Sequence, residues 1–174
     1  ELYREIVEPG RRAKFISLAR NPVDRNVSAF FFNYVTEKDS REYLSLQEVR
    51  DSFLSEYPHE VPLMWFDREP KATLKIDVYS KNFPSERRYI ELQNGPFKLL
   101  VLRTELSDHR KTKAIGQFLG VPSFEIQRRN TGKSKDYADL YDQFKRKVSL
   151  PDSYMDWMLQ SEYAKHFCTA EEID

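Results

Sequence analysis

Cysteine is almost missing. Cys168 is the one cysteine among 174 residues, so no disulfide can close within the chain and a reducing setting is favoured. Long apolar runs are missing too, and nothing approaches the ~20 residues that a membrane-crossing helix needs. No charge of one sign predominates. With 28 Lys and Arg against 28 Asp and Glu, the diffuse attraction that drives non-specific binding to nucleic acid is excluded, and any anion site must be local. Histidine is scarce, and residues 59, 109 and 166 have no metal-ligand spacing with one another or with Cys168, so no metal is expected. No signal peptide is visible, and the chain opens at Glu1 without methionine, which reads as a fragment whose upstream targeting is open.

Aromatic residues, by contrast, are plentiful. Twelve Phe and ten Tyr within 40% apolar residues separate the chain from disordered sequences, and 20.8 kDa fits a single domain over residues 1–174. The run Lys14-Phe15-Ile16-Ser17-Leu18-Ala19 predicts a buried strand that ends at Arg20. Asn21 then fits an N-cap, Pro22 the first helical position, and Val23, Val27, Phe30, Phe31, Tyr34 and Val35 recur at helical spacing. After a polar stretch over 36–43, Ser45 and Glu48 have capping-box spacing for a helix that stops before Pro58. Three prolines over 59–84 predict loop and short helix. Two strand-like runs, Arg88 to Gln93 and Phe97 to Arg103, flank Asn94-Gly95, the preferred central pair of a type I′ hairpin. Ser107 starts and Gly120 stops another helix. Further helices are expected over Asp136 to Val148 and Pro151 to Phe167, with a last turn capped by Thr169 and Glu172.

Arg20 sits where the first strand should end, and in open α/β sheets that carboxyl edge collects ligands. Ser28 follows Asn21 along the helix by roughly 10 Å at ~1.5 Å per residue. The forked guanidinium and the hydroxyl together suit a phosphate lying beside the helix. A capped helix with a surface arginine would explain the same residues.

The segment Arg20-Asn21-Pro22-Val23-Asp24-Arg25-Asn26-Val27-Ser28 resembles the 3′-phosphate-binding motif of sulfotransferases that use 3′-phosphoadenosine 5′-phosphosulfate (PAPS). The resemblance implies that Arg20 and Ser28 hold the 3′-phosphate of PAPS or of its product, adenosine 3′,5′-bisphosphate. Arg25 also matches many carbohydrate sulfotransferases, and a helix-surface salt bridge explains it as well. Gly132-Lys133-Ser134-Lys135, preceded by Phe118-Leu119-Gly120-Val121, is similar to a nucleotide-closing loop of the heparan-type enzymes, although Asp136 and Tyr137 replace their usual glycine and arginine. By that resemblance Gly132, Lys133, Ser134 and Lys135 join the cofactor site. Trp65 to Glu69, Ile76 to Tyr79, Leu100 to Glu105 and Glu162 to Phe167 look like a bacterial sulfotransferase-like family named for capsular polysaccharide synthesis.

The resemblance implies a three-layer α/β fold, sulfotransferase-like and related to P-loop NTPases, with a small, mainly parallel sheet flanked by helices. It also implies transfer of sulfate from PAPS to a carbohydrate hydroxyl, a bacterial cytoplasmic setting, and an upstream phosphosulfate-binding loop that this chain lacks before Lys14. No catalytic residue is assigned. The three histidines read as solvated or locally bonded side chains, and His59 is the one to test as a base. Glu69 and Asp77 are acids that could face sugar or serve in salt bridges, and Trp65, Tyr89 and Phe124 are stacking surfaces or core. Two alternatives stay open: a non-catalytic nucleotide-binding or assembly module of the same fold, and another nucleotide-dependent transferase of capsule assembly.

Overall fold

The computed structural model describes residues 3–35, 45–127 and 137–173. Three strands form one sheet in the order β1 (Ala13–Ala19), β3 (Phe97–Arg103), β2 (Tyr89–Asn94). β1 lies parallel to β3, with Ala13 opposite Phe97 and Ala19 opposite Arg103, and β2 lies antiparallel to β3. The sheet is therefore mixed rather than mainly parallel. Its central strand is the most buried of the three, and every residue of β3 except Lys98 is buried.

Side chains alternate between the two faces of a strand, so β3 feeds two cores. Leu99 and Val101 join Ile90 and Leu92 against Phe66, Tyr163 and Phe167. Leu100 and Leu102 face Ala114 and Phe118 of the helix Asp108–Leu119. A third cluster lies among the helices, centred on Phe30, Phe31, Phe53 and Phe144.

Local signals account for most element ends. Asn21 Oδ1 accepts from the amides of Val23 (3.0 Å) and Asp24 (3.3 Å), which starts α1 (Pro22–Phe30). Ser45 Oγ accepts from Glu48 N at 3.2 Å and donates to its carboxylate, starting α2 (Leu46–Glu56). α3 (Val61–Phe66) runs into a wider π-type turn over Asp67–Leu74, where Pro70 supplies no amide to a regular helix. Ser107 caps α4 (Asp108–Leu119), and Gly120, at φ 78°, closes it in a conformation that favours glycine. The remaining helices are α5 (Ala138–Lys147), α6 (Asp152–Leu159), α7 (Glu162–Phe167) and α8 (Ala170–Ile173).

The hairpin turn differs by one position from the type I′ expectation. Asn94 pairs with Phe97 inside the ladder, which leaves Gly95 and Pro96 as the central residues. Gly95 has φ 53°, and the proline ring locks φ negative at the next position, the sign pattern of a type II′ turn.

Candidate functional site

β1 and β3 end side by side, and at that edge opens a cleft of about 420 Å³. Arg20, Arg25, Ser17, Trp65, Thr104 and Tyr163 supply its polar and aromatic walls. The hydrogen bonding of β1 explains why Arg20 turns away from the sheet. The Ala13 amide donates to the Pro96 carbonyl, and the Ala19 carbonyl accepts from Thr104 N, so the odd residues of β1 bond toward β3. Arg20, an even position, presents its amide and carbonyl outward. Both are taken by one hydroxyl, since Arg20 N donates to Tyr163 Oη at 3.1 Å and Tyr163 Oη donates to Arg20 O at 3.1 Å. Burial pushes the Tyr163 phenol up to about 12, so it keeps the proton that the second bond requires.

Among the described residues no carboxylate lines this cleft. Arg25, one turn into α1, donates through Nη1 to Asn26 Oδ1 (3.3 Å) and to the Tyr57 hydroxyl. Among the described residues it has no acidic partner, so the helix-surface salt bridge that its spacing allowed is not formed. Its neighbour Asp24 pairs instead with Lys145 at 2.7 Å. Two guanidinium groups thus share a cleft without a counter-charge in its walls, an arrangement suited to an anion.

Ser28 lies farther along α1, half-buried, and does not line the cleft. Gly132, Lys133, Ser134 and Lys135 lie outside the described residues. Trp65 is 45% exposed, and its indole N–H donates to Ser17 Oγ at 3.3 Å, which fixes the ring against β1. Beyond it runs a second, mostly apolar cleft of about 410 Å³ that shares Ile16, Ser17 and Trp65 with the first and contains Glu69. Asp77 is elsewhere, paired with Lys71 at 2.9 Å and capping Tyr79 N. Tyr89 lies under the Arg87 guanidinium at 3.9 Å, and neither it nor Phe124 lines either cleft.

His59 is no accessible base. It is 7% exposed and caged by the rings of Phe53, Tyr57 and Tyr154, with Nε2 at 2.8 Å from the Phe53 carbonyl. Its backbone carbonyl accepts from the buried Asn26 amide at 2.9 Å, so the residue ties α1 to the start of α3. Burial pushes its pKa below the ordinary value, against the opposing pull of the Phe53 carbonyl. The unfolded chain, with an ordinary value of about 6.5, therefore binds the proton more readily than the fold does. His59 accordingly contributes stability that is fully present above about pH 6.5 and is lost as pH falls through the lower folded value, each unit of separation being worth about 1.4 kcal/mol. In urea titrations at a series of pH values, His59→Phe should flatten the loss below pH about 6.5, with the remainder including His166, whose pKa burial also lowers. An unchanged slope would contradict this assignment.

The Tyr163 hydroxyl at Arg20 and the phenol partner of Arg25 were not legible in the residues themselves. Tyr163 is 143 positions from Arg20, and no local pattern announces a phenol that will bond a distant backbone. No curated protein and no solved structure matches the chain. A family model described as "Putative capsular polysaccharide synthesis protein" matches residues 53–169. That span contains Trp65, Thr104 and Tyr163 of the cleft, and Arg20 and Arg25 precede it. With about two thirds of its length matched, the chain belongs to that family.

Proposed function

We propose that the chain is the nucleotide-binding part of a transferase that moves a sulfuryl group from PAPS to a carbohydrate hydroxyl, in the synthesis of a capsular or surface polysaccharide. The observation that carries the proposal is the pairing of Arg20 and Arg25, uncompensated by an acid among the described residues, in one cleft at the carboxyl edge of a parallel strand pair. The motif that resembles the 3′-phosphate site supplies both arginines, and the family description supports a polysaccharide product.

In this reading the Arg20 fork holds two oxygens of the 3′-phosphate and Lys133 and Lys135 add charge, while Ser28, outside the lining of this cleft, is not among its contacts. The Trp65 face receives a planar or pyranose ring. The acceptor oxygen bonds to sulfur as the bond from sulfur to the bridging oxygen breaks, so adenosine 3′,5′-bisphosphate leaves and the acceptor proton passes to a base. Catalysis of such an in-line displacement rests on positioning and on cations placed where charge develops.

The test is isothermal titration of adenosine 3′,5′-bisphosphate and AMP into the protein and into Arg20→Ala, with circular dichroism as the check on folding. The bisphosphate should bind more tightly than AMP. A charged hydrogen bond contributes about 1.5–3 kcal/mol, so Arg20→Ala should weaken the bisphosphate roughly tenfold or more and leave AMP nearly unchanged. Equal affinity of the two nucleotides for the unaltered protein would remove the 3′-phosphate assignment.

A further inference from the structure

Arg103 and Thr104 follow one another at the end of β3 but line different clefts. Thr104 belongs to the cleft of Arg20. Arg103 belongs to a smaller one of about 170 Å³, between the entry to β2 and the helices α7 and α8. Its walls include Arg88 and Lys165, with the hydroxyls of Ser85 and Thr169.

The charges in these walls do not cancel. Arg103 is compensated, with Glu105 at 2.8 Å and Glu172 at 3.0 Å. Glu172 is the one acid in the lining, and its second oxygen is engaged by the Thr169 amide at 2.9 Å. Arg88 and Lys165 have no acidic partner among the described residues. Two cations therefore border a space whose acid is already committed.

The backbone of Arg88 points the same way. Its φ of 59° lies in the left-handed region, which costs a residue with a side chain and suits glycine. The conformation is held from both sides, as Arg88 N donates to Pro84 O at 2.8 Å and Arg88 O accepts from Arg103 N at 2.9 Å. A strained position that keeps an arginine is a position where the guanidinium has a use. The space is below the ~300 Å³ of sites for nucleotide- or drug-sized ligands, and suits a single compact group.

We propose that this cleft is an oxyanion site, separate from that of Arg20, which takes a sulfate- or phosphate-sized group on Arg88 and Lys165 with Ser85 as a neutral donor. The group is either a free ion or a substituent on a saccharide. The two sources share this chemistry and differ in what remains outside the cleft.

The experiment titrates inorganic sulfate, inorganic phosphate and glucose 6-sulfate, at constant ionic strength, into the protein, into Arg88→Gly, Lys165→Gln and Arg20→Ala, and into Arg20→Ala combined with either of the other two. Thermal melts without ligand accompany each variant. Arg88→Gly removes the guanidinium and suits the left-handed backbone, so its melting temperature should be unchanged or higher. Arg20→Ala, which disables the first cleft, should retain anion binding at the second, and adding Arg88→Gly or Lys165→Gln to it should weaken that binding tenfold or more. Glucose 6-sulfate binding as tightly as sulfate identifies a saccharide-borne group, and binding of the inorganic ions alone identifies a free one. Either result supports the site. No binding of any of the three probes, binding undiminished when Arg88→Gly or Lys165→Gln is added to Arg20→Ala, or binding lost in Arg20→Ala itself would overturn it.

Discussion

Phe53→Ala is expected to destabilise the protein by about 3–5 kcal/mol, the range for emptying a fully buried aromatic site. Phe53 is 0% exposed, and its ring lies between 4.6 and 5.9 Å from those of Phe30, His59, Phe144 and Tyr154, with Tyr57 stacked at 6.0 Å. Through these rings α2 holds α1, α5 and α6. Relaxation cannot readily fill the space, because Phe30, Phe144 and Tyr154 approach from three separate helices and each also packs elsewhere. The loss also reaches the cleft, since Arg25 rests on the hydroxyl of Tyr57, which stacks on Phe53. Urea unfolding should show a lower midpoint for Phe53→Ala, with a smaller change for Phe53→Leu. A loss below about 1 kcal/mol for the alanine variant would mean that the ring cluster is not the support of the helical layer.

The elements that could be read from the residues are those whose boundaries are local. Asn21 with Pro22, Ser45 with Glu48, and Ser107 with Gly120 each satisfy or stop a helix within four residues or by one backbone conformation, so the sequence carries the whole instruction. The turn at Asn94-Gly95-Pro96 shows the limit. Asn-Gly favours a type I′ turn, but a ladder that pairs Asn94 with Phe97 moves the turn to Gly95 and Pro96, and register is a property of both strands together.

The same limit divides the candidate site. Arg20 could be found because it directly follows a strand, and its position at the carboxyl edge depends only on where β1 ends. Tyr163 could not, because it meets Arg20 only after α7 packs against α3 and the sheet. The cage around His59 was hidden for a related reason: a histidine followed by glutamate and next to proline gives no sign that three aromatic rings will enclose it. Arg25 needed the structure to choose between a salt bridge and a phenol, and Lys145 taking Asp24 from another helix leaves it the phenol.

Arg103→Met is expected to cost about 3–5 kcal/mol, the range for removing one partner of a buried ion network. Arg103 is 2% exposed, and each of its nitrogens is used. Nε donates to Glu105 at 2.8 Å, Nη2 to Glu172 Oε1 at 3.0 Å, and Nη1 to the Phe167 carbonyl at the end of α7. One side chain from the central strand thus fastens both C-terminal helices. Burial works against its charge, but the carboxylates outweigh it and hold the guanidinium above its ordinary pKa. Methionine fills much of the volume and leaves Glu105 Oε2, Glu172 Oε1 and the Phe167 carbonyl without the guanidinium donor, so the penalty comes from the groups left behind rather than from a void. Arg103→Lys keeps the charge but loses the fork, and should fall between the two. The decisive comparison is the triple variant Arg103→Met with Glu105→Gln and Glu172→Gln, which removes the stranded charges and should recover much of the loss in urea unfolding. If the triple variant is no more stable than Arg103→Met alone, uncompensated charge is not the origin of the penalty, and lost packing between β3 and α7 is.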